Sequence, residues 1–185
     1  MYNERSAFWY GLGAVACWST VATAFKIALA ELDPLQMLFV ACCCSSVFLL
    51  SVLAWQGKLK LPLDYLREAP LFYLGMALIN PLFYYLVLFE AYDLLPAQQA
   101  MAINYSWALT LAVLAIPLLG QRPRIKDFVA AAIAYFGIIV IATQGALTEL
   151  QFEQPLGTGL ALLSTVIWAL YWIFNTRNQI GRAHV

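Results

Sequence analysis

Six apolar runs, most of them about as long as a bilayer is thick, divide this chain and leave little room for anything else. They occupy residues 7–29, 35–55, 71–89, 97–119, 128–143 and 156–174, and the fifth is the shortest. An α-helix rises about 1.5 Å per residue, so about 20 mostly apolar residues cross the hydrocarbon core of a membrane. Composition points the same way. Charged residues make up 11% of the chain and hydrophobic ones 63%, whereas a soluble domain carries about 25% charged residues to cover its surface. The sequence therefore predicts an all-α integral membrane protein with six transmembrane helices and excludes a water-facing globule. The first run is longer than the apolar core of a signal peptide and shows no convincing cleavage site, so it is expected to be a permanent span. Pro34, Pro70, Pro96 and Pro155 stand at or just before the first turns of four runs, where a missing N–H costs nothing.

The ten basic and ten acidic residues cancel, so net charge gives no reason to expect a nucleic-acid partner. Their placement is informative. Arg5 precedes the first run; Lys58, Lys60 and Arg67 follow the second; Arg122, Arg124 and Lys126 follow the fourth; Arg177 follows the sixth. The alternate loops carry Glu31 and Asp33, Glu90 and Asp93, then Glu149 and Glu153, with no Lys or Arg. Basic loops stay in the cytoplasm, so the expected N-terminus is cytoplasmic. Cys17, Cys42, Cys43 and Cys44 all lie in apolar runs. Three adjacent cysteines on a helix point in three directions, unlike the spaced pairs of a zinc site, and are read as small packing residues. No metal or cofactor is expected. An enzyme would need convergent His, Asp or Glu side chains; the single histidine is His184, near the C-terminus, so no catalytic residues are assigned.

Polar side chains inside the runs mark candidate sites, because each needs a partner in hydrocarbon. Gly13, Ala16, Ser19, Thr23 and Lys26 recur at spacings of three or four, with Trp18 beside them. They share one helix face, which is either a close-packing seam of small residues or a solute-facing stripe. A lysine at the bilayer centre costs about 2.5–3.5 kcal/mol. Lys26 lies near one end of its run and has two alternatives: snorkelling outward, for example to Glu31, or meeting an anionic group in a cavity. Asn80 and Tyr84 stand one turn apart around Pro81, which removes a backbone donor and kinks a helix. The fourth run holds Asn104 and Trp107 on one face, with Met101 and Tyr105 alongside. Amide, phenol and indole groups around an apolar hollow suit a small amphipathic solute with an aromatic or aliphatic part. No Asp or Glu sits in mid-span.

The first and sixth runs share a pattern. "GLGAVACWSTVATAF" and "GLALLSTVIWALYWIF" are both Gly-led, small-residue-rich and tryptophan-containing, with Trp168 in the second. A unit of five spans has an odd count, so a second copy would enter the membrane in the opposite direction, as in inverted-repeat carriers. Further stretches carry a resemblance: "ACWSTVATAFKIAL", "LINPLFYYLVLFEAYDLLPAQQA", "INYSWALTLAVLAIPLLGQRPR" and the glycine of "AYFGIIVIAT". In order and spacing they resemble the drug/metabolite transporter superfamily, EamA-type, over residues 7–178. The chain departs from that pattern at Gln121, where an acidic residue is usual, and in "LQMLFVACC", which lacks an arginine often found there.

The resemblance implies a ten-helix carrier of two five-helix repeats in a bacterial inner membrane. Residues 1–145 would be the first repeat, and 146–179 a loop and the first helix of the second. It implies a small-molecule substrate bound between the repeats, export of amino acids or similar metabolites by alternating access, and lipid as the other partner. Without a mid-span acid, either proton coupling resides in further sequence or transport is uncoupled. Two other readings remain: a non-transporting scaffold or subunit, and an antiparallel homodimer of the small-multidrug kind, which the one-sided charge pattern disfavours. Residues 180–185, "IGRAHV", coincide with one reading frame of a common sequencing adapter and are expected to be non-native. On that expectation His184 is neither ligand nor base.

Overall fold

A computed structural model describes residues 4–121, 123–143, 145 and 154–183, and everything described is helix or short connection. Nine helices appear among these residues: α1 (Glu4–Leu29), α2 (Pro34–Trp55), α3 (Leu61–Glu68), α4 (Pro70–Ala77), α5 (Tyr84–Leu94), α6 (Ala97–Asn104), α7 (Trp107–Leu119), α8 (Ile125–Ala142) and α9 (Pro155–Ala183). A wide helical turn, Leu78–Phe83, joins α4 to α5. His184, Val185 and the acidic residues Glu149 and Glu153 lie outside the described residues, as does Arg122.

Five stretches are long and apolar enough to cross a membrane: Ser6–Leu29, Pro34–Trp55, Pro70–Leu94, Ala97–Leu119 and Pro155–Asn178. They correspond to the first four runs and the sixth. The fifth run forms α8, whose 18 residues rise about 27 Å, just under the hydrocarbon thickness of about 30 Å. Prolines open the helices as the sequence predicts. Pro34 follows an N-cap in which Gln36 N–H donates to the Asp33 carboxylate at 2.8 Å and Asp33 N–H donates to Gln36 Oε1 at 3.2 Å, a reciprocal capping box. Pro70 and Pro155 begin α4 and α9, and Pro96 caps α6.

Two spans are broken at mid-depth. In the third, Asn80 leaves the helical region (φ −144°, ψ 117°) ahead of Pro81, with a cis peptide between them. In the fourth, the chain turns through Tyr105 and Ser106 between α6 and α7. Residues 61–68, in the second basic loop, form α3, which no apolar run announced. Leu61, Tyr65 and Leu66 lie on one side of it, Asp64, Arg67 and Glu68 on the other, at helical spacing.

The centre of the bundle is the sixth span. Helix α9 packs against α5, α6, α7 and the wide turn, whereas α1 reaches mainly α5 and α6, α2 mainly α5, and α8 lies on α6. Lipid tails are as apolar as leucine, so burial gives little drive for helices to associate; close approach of small residues supplies the contact instead. Ala91, Ala100, Ala161 and Ala169 are accordingly fully buried where these helices meet. Gly157 belongs to the same seam: a Cβ there would stand 2.9 Å from both Leu94 Cβ and Leu95 Cγ. Gly13, by contrast, has nothing within 4 Å of such a Cβ. A second cluster, Met37, Leu38 and Phe89, pins the start of α2 to α5, while the far end of α2 is open, with Trp55 89% exposed.

Candidate functional site

An aromatic-walled cavity of about 200 Å³ lies between α1, α5, α6, α7 and α9. Helical spacing builds each wall. Trp18, Val21 and Phe25 share a face of α1; Tyr84, Leu88 and Tyr92 recur every fourth residue on α5; Met101, Asn104 and Tyr105 end the first half of the fourth span. Trp107 from α7 and Trp168 from α9 complete it. The rings pack on one another: Tyr84 and Trp168 have centroids 4.6 Å apart, Trp107 and Trp168 6.2 Å, and Phe25 and Tyr92 5.3 Å. None of the lining side chains is charged.

Asn104 is the polar hub. Its Nδ2 donates to Ser164 Oγ at 2.9 Å, and its Oδ1 accepts from Tyr84 Oη at 3.4 Å. Ser164 in turn donates to Ala161 O at 2.6 Å, so its oxygen is free to accept from the amide. One side chain therefore joins α5, α6 and α9, and it does so where α6 ends. A turn further along, Thr110 Oγ1 lies 3.0 Å from Thr165 Oγ1 and 3.3 Å from Tyr135 Oη, linking α7 to α9 and α8. Both hydroxyls also reach a carbonyl of their own span, Thr165 donating to Leu162 O at 2.7 Å and Thr110 to Ser106 O at 3.3 Å. Ser106 Oγ, Asn80 Oδ1 and Trp168 Nε1 are buried with no hydrogen-bond partner among the described residues. Unpaired polar atoms of this kind concentrate where a structure binds or moves.

Of the residues singled out in the sequence, Trp18, Tyr84, Met101 and Asn104 line this cavity, together with Tyr105, Trp107 and Trp168. Ser19 lines a wider groove of about 550 Å³ that shares Trp18, Met101, Tyr105 and Trp107 with the cavity. Thr23 is exposed. Asn80 sits at the break in the third span and lines neither space. Among the described residues Lys26 forms no ion pair, with Glu31 or otherwise; its Nζ donates to Tyr92 O at 2.7 Å and Asp93 O at 3.3 Å, at the end of α5.

Several contributors carried a signal that sequence reading passed over. Ser164 and Thr165 are a polar pair inside an apolar run, and Leu88 and Tyr92 continue the spacing of Tyr84. Cys42 lines a separate groove of about 350 Å³ between α2 and α5, while Cys17, Cys43 and Cys44 are exposed. Among the described residues no three His, Cys, Asp or Glu side chains come together.

Comparison with curated proteins finds no match, and comparison with solved structures finds none. A family model does match, over residues 5–143, which takes in every wall of the cavity except Trp168. Broken spans, an uncharged aromatic cavity at bilayer depth and that match lead to one assignment: the chain belongs to the EamA-like transporter family.

Proposed function

We propose that this transporter carries amino acids or similar small metabolites out of a bacterial cell, through the inner membrane, by alternating access. The single observation that carries the substrate class is the cavity. Its volume of about 200 Å³ falls below the roughly 300–1,000 Å³ of pockets for drug-sized ligands, so the solute is small. Aromatic faces receive an apolar side chain by stacking and an ammonium by cation–π attraction, while Asn104 offers an amide to the polar end. A wall without formal charge fits a solute of zero net charge, as a free amino acid is near neutral pH.

The organisation proposed for that mechanism takes α1 to α8 as one five-span unit and α9 as the first helix of an inverted second one. The Gly-led, tryptophan-containing runs of α1 and α9 support it, as does the odd count of five spans in the first unit. Basic residues at the α2–α3 and α7–α8 connections support a cytoplasmic N-terminus.

Titration of the purified protein in nanodiscs tests the substrate class, read by the fluorescence of Trp18, Trp107 and Trp168 with Trp9, Trp55 and Trp172 replaced by phenylalanine. Leucine, isoleucine and phenylalanine are expected to give a saturable change, weakened about tenfold or more in Asn104→Leu, since a site that hydrogen-bonds its ligand loses heavily when the group is removed. No saturable response to any neutral amino acid would overturn the substrate class. Binding without exchange across vesicles would overturn alternating access.

A further inference from the structure

We propose that Lys26 is a latch that holds the cavity closed at the acidic end of the bundle, by completing the helix end that Pro96 leaves open. It rests on taking the aromatic cavity as the transport site. In a continuing helix the carbonyl of Tyr92 accepts from the N–H four residues on, which here belongs to proline and does not exist. The chain has already left the helix: Leu95 is extended (φ −112°, ψ 155°) and its own N–H is committed to Ala91 O at 2.9 Å. Among the described residues, the Tyr92 and Asp93 carbonyls therefore have no backbone donor from their own span. Lys26 Nζ supplies one from a different span, to Tyr92 O at 2.7 Å and Asp93 O at 3.3 Å. An ammonium carries three donors, and the C-terminal end of a helix is its negative pole. A costly intramembrane charge is thereby matched to carbonyls.

That match sits against the cavity wall. Phe25, next to Lys26, packs edge-on to Tyr92 at 5.3 Å and to Phe89 at 4.9 Å. Phe25 and Tyr92 both line the cavity. The hydrogen bond thus fixes the two elements whose rings form its wall near the acidic loops. Two hydroxyls of α1 take no part in this link, since Ser19 and Thr20 donate to Ala16 O and Cys17 O of their own helix. Opening the cavity toward the acidic side requires α1 and α5 to part there, and Lys26 must then release both carbonyls. Lys26 is a positioning residue: it acts through Phe25 and Tyr92 without lining the cavity itself.

The test uses a reporter thiol, Leu88→Cys, in protein whose Cys17, Cys42, Cys43 and Cys44 are replaced by alanine. The protein is reconstituted in vesicles of known orientation. A membrane-impermeant maleimide is added from the acidic-loop side or from the basic-loop side. Hydrogen bonds to charged groups are strong enough that Lys26→Met is expected to speed labelling from the acidic side by about tenfold or more. Labelling from the basic side should not rise, and Lys26→Arg should restore the parent rate. Unchanged acidic-side labelling in Lys26→Met would overturn the latch. So would equal acceleration from both sides, the mark of a loosened fold. Labelling needs no solute, so failure of the latch and failure of the amino-acid assignment are separate results.

Discussion

Single residues decide how close these helices come, and Gly157 is where that is most exposed to test. A methyl group there meets Leu94 and Leu95 at 2.9 Å, so Gly157→Ala should lower stability by about 1–3 kcal/mol through overpacking. Gly159→Ala, two residues on, meets nothing within 4 Å and should stay within about 0.5 kcal/mol of the parent. Thermal unfolding of both variants in one detergent, followed by circular dichroism, checks the contrast. Sequence reading located small residues on helix faces but not the face that mattered. Gly11 and Gly159 open the two similar tryptophan-containing runs and meet nothing within 4 Å, whereas Gly157, just ahead of the second run, is pressed against a neighbour. Periodicity says which residues share a face; it does not say what stands opposite. Thr23 illustrates the same limit, sharing a stripe with Ser19 and lying exposed. The partners of Lys26 were hidden for another reason, because backbone carbonyls are not written in the alphabet of side chains. The clue was Pro96, four residues after Tyr92.

At the scale of elements, hydropathy located the spans because lipid imposes a length. It could not locate both breaks. The first is announced by Pro81; the second, at Tyr105 and Ser106, contains neither proline nor glycine and follows from packing around Asn104. Helix α3 was missed because its eight residues are amphipathic without being an apolar run. Helix α8, the shortest span, is tied to the bundle by little. Tyr135 reaches Thr110, which also holds Thr165 of α9. Removing that hydroxyl in Thr110→Val breaks both links. Interhelical hydrogen bonds in membranes average about 0.6 kcal/mol and reach about 1.7 kcal/mol, so a loss of about 1–2 kcal/mol is expected. Amide hydrogen exchange should quicken in α8 before it does in α5. Uniform acceleration across all helices would place the role of Thr110 elsewhere.

For the whole molecule, the alternation of basic and acidic loops makes a direct prediction about orientation. With the four native cysteines replaced, a thiol introduced by Gln56→Cys should react with an impermeant reagent only after the cell membrane is permeabilised. One introduced by Glu31→Cys should react in intact cells. The reverse pattern would invert the assigned topology. Charge order was fully legible because each loop carries its own vote; the assembly order was not, since nothing in the apolar composition of the sixth run marks it as the centre. That centrality bears on how the protein is made. Ribosomes deliver α5, α6 and α7 to the membrane before α9, yet α9 supplies the Ser164 oxygen that accepts from Asn104. Until it arrives, the Asn104 amide N–H waits without this partner, where bare polar groups are costly. Insertion can therefore proceed span by span, but maturation cannot. The hydrogen bond that ties α6 to the sixth span can form only once α9 has taken its place.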